Sequence, residues 1–330
     1  MSLEEQVGAH LAVGIPGTQA TPAVVAHLKS IYARSLVVFA RNFVSTDQFR
    51  TLLRDLEQAL GRPLLVMVDH EGGRVRRFSA GVTRFASADS MAAQGVQAVE
   101  EQGRIEAQEL RALGVHVNLA PCVDVRVDGS DPIIGDRSYG TEPDRVSALG
   151  RARILGLQGA GVAACAKHFP GLGAVPRDPH KTLPTVNFGW EEMEEIHLAP
   201  FEEAIAAGVE MIMSSHVCYP GLGEPEGLPA TFSLRLIRGH LRQGLGFQGL
   251  ILTDDMDMGA LRECAPSGEG AIRAVEAGHD LLLFCADQQA QREAFDALTN
   301  AYQKGRLGSE TLESTVRRVG ALQKKYTGRP

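Results

Sequence analysis

Lys167 and His168 follow a run of apolar and small residues, Val162-Ala163-Ala164-Cys165-Ala166, and precede a turn-rich stretch, Phe169-Pro170-Gly171-Leu172-Gly173. Beyond that turn comes Arg177-Asp178-Pro179-His180-Lys181, which brings a second histidine with an aspartate two residues before it. Cationic side chains at the end of a buried strand can grip a polar ligand, and a histidine on a Gly/Pro-punctuated loop can carry a proton. A surface loop with ordinary charges is the competing reading. Similar polar groups follow other apolar runs: Arg41-Asn42, Asp69-His70-Glu71-Gly72-Gly73-Arg74, Ser214-Ser215-His216 and Asp254-Asp255, with Arg137 in a long connection.

Asp254, at the end of a core strand, is the natural nucleophile candidate. Side chains alternate along a strand, so only one of Asp254 and Asp255 is expected to face a site there. Asp254-Asp255-Met256-Asp257 could instead be a solvated loop or a divalent cation site. A cation site wants converging carboxylates, whereas Arg and Lys abound among these segments, so no metal is expected. Asp69, Arg77, Arg137, Lys167 and His168 combine an acceptor-only carboxylate with fixed donors, the equipment for reading several hydroxyls of a ligand. A structural ion-pair network is the alternative for each of them. His216 and Arg41 are further lining candidates.

The elements that must position these groups are legible. Apolar runs of strand length recur at 10–15, 36–40, 64–68, 115–120, 162–166, 209–213, 249–253 and 280–285. Helical periodicity fills the intervals at 22–33, 46–60, 97–112, 142–159, 191–207, 233–243, 270–277 and 287–304. Gly61, Gly114, Gly161, Gly208 and Gly278 fall where left-handed helix caps are needed. Near-continuous apolar strands alternating with helices specify an α/β protein with a parallel sheet, and eight such units specify a (β/α)8 barrel. A doubly wound open sheet is the runner-up, but no G-x-G-x-x-G follows the first strand. The absence of a linker predicts a single domain over 1–330, with an amphipathic helix over 309–326 packed outside the barrel. The barrel demands that chemistry gather at the C-terminal strand ends, which is where the groups above fall.

The net charge of -7 offers no basic surface for nucleic acid, and no apolar run reaches the roughly 18 residues of a membrane span. Five scattered cysteines without a C-x-x-C pair argue against disulfides and zinc clusters, and the acidic N-terminal segment does not resemble a secretory signal. A cytoplasmic location is expected.

Val68-Asp69-His70-Glu71-Gly72-Gly73-Arg74, Ile134-Gly135-Asp136-Arg137-Ser138-Tyr139-Gly140, Lys167-His168-Phe169-Pro170-Gly171-x-Gly173, Asp178-x-His180 and Thr253-Asp254-Asp255 occur in this order. Together they resemble glycoside hydrolase family 3, more narrowly its single-domain (NagZ-type) β-N-acetylglucosaminidase branch from bacterial cell-wall recycling. The resemblance implies a retaining exo-β-N-acetylglucosaminidase, an enzyme needing no cofactor, whose ligand is a carbohydrate, as in peptidoglycan fragments. Asp254 would form a covalent glycosyl-enzyme. His180 would be the acid/base, with Asp178 accepting from its second ring nitrogen. Asp69, Arg77, Arg137, Lys167 and His168 would hold the terminal sugar, with His216 as a further contact.

The chain departs from the family block at two positions, having Leu172 where histidine is usual and Pro179 where serine is common. A phosphorylase acting on the same bond and a metal-dependent hydrolase using His168, His180, His216 and Asp254 are the rival activities. A silent sugar-binding barrel and a β-glucosidase, which draws its acid/base from a second domain, fit less well.

Overall fold

The computed structural model describes residues 1–127, 129–130, 132–175 and 183–328, with the backbone alone at residue 260. Eight parallel strands close into a barrel in sequence order: β1 (Leu11–Gly14), β2 (Ser35–Val38), β3 (Leu65–Val68), β4 (Val117–Asn118), β5 (Ala163–Phe169), β6 (Met211–Ser214), β7 (Leu250–Asp255) and β8 (Leu281–Phe284). Each overlaps an apolar run read from the sequence, with β5 reaching three residues beyond its run. The doubly wound alternative is thereby excluded.

Both faces of every strand are covered, which is why the runs are continuous rather than alternating. Ala12, Val37, Met67, Val117, Cys165, Met211, Leu252 and Leu283 point inward and fill the barrel. Their neighbours Val13, Val38, Val66, Ala164, Ile212, Ile251 and Leu282 point outward beneath the helices. This parity decides which strand-end residues enter the mouth. Counting in twos from Met67, Cys165 and Leu252 reaches Asp69, Lys167 and Asp254.

The principal helices of the outer layer are Pro22–Ser30, Thr46–Leu60, Val96–Leu113, Pro143–Gly159, Ala199–Ala206, Ser267–Ala277 and Gln288–Gln303. The five glycines expected at helix ends all take positive φ. Two segments differ from the expectation of ordinary helix: Met193–Leu198 and Arg235–Gly244 wind with the wider i→i+5 pattern.

The terminal helix, Ser309–Thr327, lies outside the strand wall, but its role is specific. Val319 and Leu322 join the apolar cluster inside the barrel. Arg318 pairs with Asp280, just before β8, and Lys325 with Glu210, just before β6, so this helix closes the N-terminal end of the barrel. The opposite end is left for a ligand. Among the described residues, no helix is long and apolar enough to cross a membrane.

Candidate active site

A cavity of about 240 Å³ opens at the C-terminal ends of the strands and is lined by Asp69, Arg77, Arg137, Lys167, His168 and Asp254. The structure thus brings together six residues singled out in the sequence. Lys167 is fully buried, and its Nζ lies 2.7 Å from both Asp69 Oδ1 and Glu71 Oε1. Arg137 completes the network, its Nε and Nη2 each donating to Glu71 at 2.8 Å. Arg77 Nη2 sits 3.7 Å from Asp69 Oδ2 on the more open side.

The electrostatics follow from burial and pairing. Burial alone would drive Lys167 toward neutrality, but Asp69 and Glu71 hold its ammonium above the ordinary lysine range. Burial would likewise raise Glu71, yet Arg137 and Lys167 overcome it and keep the carboxylate well below its usual range. Glu71 was missed as a site residue. The available signal was parity: two residues after Asp69, it points to the same side.

Asp254 is the penultimate residue of β7, its Oδ1 accepting from the Asp255 amide at 2.8 Å. Burial pushes its carboxyl upward, but His168, His216, the Asp255 amide and Lys167 outweigh it and hold Asp254 below the ordinary aspartate range. It is an ionised carboxylate facing a small polar cavity. The expectation that Asp255 would turn away is corrected, because it lines the cavity too. The pairing of β7 with β8 slips between Leu252 and Asp255, which breaks the alternation. Asp255 Oδ1 accepts from the amides of Asp257 and Cys285, and burial raises its carboxyl to about 6.

His216 differs from the expected lining role. It is buried beside the cavity rather than among its lining residues, with Nδ1 2.5 Å from Thr231 Oγ1 and Nε2 3.0 Å from the Asp255 carbonyl. Its contacts tie the segment after β6 to the end of β7, because both ring nitrogens are turned to the protein. Arg41 also stays off the lining: it donates to the carbonyls of Ile15 and Cys285 and stacks 4.4 Å from the Phe39 ring centroid. Asp178, His180 and Pro179 lie outside the described residues.

His168 lines the cavity although it follows Lys167 directly; the pairing of β5 with β6 shifts between Lys167 and Phe169. Its Nδ1 lies 2.7 Å from Oδ2 of Asp124, a buried carboxylate also missed in the sequence. The signal there was a lone charge in the apolar run Cys122-Val123-Asp124-Val125, since a buried carboxylate requires partners. Gly173 passes so close to this segment that a Cβ would stand 1.9 Å from the Val125 carbonyl oxygen, so only glycine fits. Leu172, where the family commonly has histidine, forms an apolar part of the cavity wall. Cys122, Asp124 and His168 place candidate metal-ligand atoms within 4.8 Å of one another, but the Asp124–His168 spacing is that of a hydrogen bond.

Such a mouth, with an ionised carboxylate facing donors and an acceptor suited to hydroxyl groups, defines a carbohydrate-processing barrel enzyme. Residues 2–322 match the glycosyl hydrolase family 3 N terminal domain. The chain belongs to glycosyl hydrolase family 3. It is 37% identical over 272 residues to the beta-hexosaminidase of Methylococcus capsulatus, covering 81% of this chain and 80% of that one. Among solved structures, a family 3 beta-N-acetylglucosaminidase from Paenibacillus sp. str. FPU-7 superimposes with a TM-score of 0.95 at 38% identity, covering 99% of this chain. The present chain spans 63% of that longer protein. NagZ from Neisseria gonorrhoeae matches with a TM-score of 0.80 at 30% identity, covering 97% of both chains. The protein is accordingly a glycoside hydrolase of the β-N-acetylhexosaminidase type.

Proposed function

We propose that this protein is a retaining exo-β-N-acetylglucosaminidase that releases terminal non-reducing N-acetylglucosamine, with peptidoglycan fragments as the source. The observation that carries the reading is Asp254, an ionised carboxylate at the strand-seven end, lining the same cavity as Lys167, His168, Asp69 and Arg137. A cavity of about 240 Å³ falls below the range of drug-sized pockets, which suits one sugar ring and hence exo action. The relatives named beta-hexosaminidase and NagZ support the choice of sugar.

In the first step Asp254 attacks the anomeric carbon from the face opposite the aglycone. The C1–O bond to the leaving group breaks, and the leaving oxygen takes a proton from the acid. In the second step water attacks C1, the bond to Asp254 breaks, and the base takes the proton from water. Two inversions give net retention. Lys167, Asp69, Arg137, Arg77 and His168 hold the sugar hydroxyls. His180 is the acid/base, partnered by Asp178, a role that rests on the sequence motif. An unperturbed imidazole titrates near 6.5, within reach of both proton transfers. The five cysteines form no disulfide among the described residues, which supports a reducing compartment, the cytoplasm.

The test compares aryl β-N-acetylglucosaminide with aryl β-glucoside, with and without phosphate. Preference for the acetamido sugar, phosphate-independent turnover and β-N-acetylglucosamine as the first product by NMR are expected. Formation of N-acetylglucosamine 1-phosphate at an accelerated rate would assign a phosphorylase instead.

His180→Ala gives a separate prediction. An alkoxide leaving group needs the proton, whereas a nitrophenolate does not. The glycosylation rate should fall by roughly 10²–10⁴ for poor leaving groups and far less for activated ones. A Brønsted plot of log(kcat/KM) against leaving-group pKa should therefore steepen. An unchanged slope would remove His180 from the role.

A further inference from the structure

Asp124 is a buried carboxylate that the proposed reaction does not itself use, yet its bonds converge on the site. It lies on the segment that follows β4, 1% exposed and outside the cavity lining. Its Oδ2 meets His168 Nδ1 at 2.7 Å, and both of its oxygens accept from the His168 amide at 3.2 Å. Its Oδ1 accepts from the Leu172 amide at 2.6 Å, and Cys122 Sγ donates to Oδ2 at 3.2 Å. Besides these backbone amides, Asp124 engages a ring that lines the cavity, through a 2.7 Å side-chain bond.

We infer that Asp124 is a positioning residue for the glycosidase reaction: it fixes the tautomer and the plane of His168 so that Nε2 is presented to a sugar hydroxyl. The inference rests on the glycosidase reading above. An ionised carboxylate only accepts, so Nδ1 must carry the hydrogen in their shared bond. Rotating the ring by 180° would break that bond and leave a buried carboxylate short of a partner, which costs more than a lost surface contact. Nε2 is then the ring nitrogen left for a ligand. Burial pushes the Asp124 carboxyl up, but His168, the Leu172 amide and Cys122 outweigh it, so the acceptor stays ionised. The same carboxylate anchors Leu172, and therefore one buried group sets both a polar contact and an apolar wall of the sugar site.

The experiment is a double-mutant cycle with Asp124→Asn and His168→Gln, read as kcat/KM for an aryl β-N-acetylglucosaminide. The amide turns a donor toward groups that are themselves donors, so Asp124→Asn alone should lose on the order of 100-fold. In the His168→Gln background the same substitution should cost less than about 3-fold, because the ring it positions is gone. Equal losses in both backgrounds would overturn the inference and leave Asp124 a scaffold residue. If Asp124→Asn does not fold, the wild-type protein still decides the matter. In ¹⁵N-histidine NMR, the signals lost in His168→Gln should show a protonated Nδ1 with a slowly exchanging hydrogen. A ring protonated at Nε2 alone would equally overturn it. The NMR arm is independent of turnover, so failure of wild type to cleave the aryl substrate would count against the glycosidase reading, not against the Asp124–His168 pairing.

Discussion

Asp254→Ala should abolish turnover of aryl β-N-acetylglucosaminides, lowering kcat/KM by at least about 10⁴-fold while leaving the protein folded. The size follows from what the side chain is asked to do. Without a nucleophile, the covalent step disappears and water would have to attack the sugar directly. Folding should survive because, among the described residues, Asp254 accepts a hydrogen bond from its neighbour's amide alone, while the segment is stitched elsewhere. Asp255 Oδ1 accepts from the amides of Asp257 and Cys285, and Asp257 Oδ2 accepts from those of Ala286 and Asp287. These bonds hold the strand-seven and strand-eight ends together with or without the carboxylate at 254. Azide added to Asp254→Ala should enter the vacated space and restore turnover of an activated substrate, giving the α-glycosyl azide. The single inversion identifies Asp254 as the attacking group. Near-normal activity in Asp254→Ala without azide would sink the mechanism.

Much of this site was legible because a parallel barrel buries both faces of its strands. The alternation that leaves Met67, Cys165 and Leu252 inside also delivers Asp69, Lys167 and Asp254 to the mouth, and a period of two can be counted in a sequence. Parity fails where strand pairing slips. His168 and Asp255 sit beyond such shifts and reach the cavity although alternation turns them away. Asp124 was hidden for a different reason. Its neighbours Val123 and Val125 declare a buried segment, but nothing local says that its partners lie 44 and 48 residues away at His168 and Leu172. His216 shows the converse: a histidine at a strand end looks like a ligand contact until Thr231 and the Asp255 carbonyl are seen to occupy its nitrogens. The wide-turn segments Met193–Leu198 and Arg235–Gly244 were read as ordinary helix because one or two turns of apolar spacing barely separate i→i+4 from i→i+5.

Glu71→Gln should destabilise the fold by about 3–5 kcal/mol, the range for breaking a buried ion pair, and lower the melting temperature by roughly 5–10 °C. Glu71 is buried and takes both Arg137 nitrogens at 2.8 Å and Lys167 at 2.7 Å. The substitution keeps the volume and removes the charge. Two buried cations are then left with Asp69 as the remaining carboxylate of the cluster, and the amide nitrogen faces one of the donors. The effect carries a pH signature whose sign is fixed. The folded protein holds Glu71 well below its usual range, so the folded state binds fewer protons than the unfolded chain and stability rises with pH. That contribution is fully present above the ordinary glutamate value of about 4.3 and erodes as pH falls below it, by about 1.4 kcal/mol per unit. The stability gap between wild type and Glu71→Gln, measured by denaturant titration, should therefore be constant from pH 7 to 5 and narrow by roughly 1–2 kcal/mol on reaching pH 3. Catalysis should suffer separately through KM, because Arg137 and Lys167 are held at the cavity by this carboxylate. A variant as stable as wild type at pH 7 would show that Asp69 alone can carry both cations. A gap that stayed constant down to pH 3 would show that the depressed titration belongs to another group of the network.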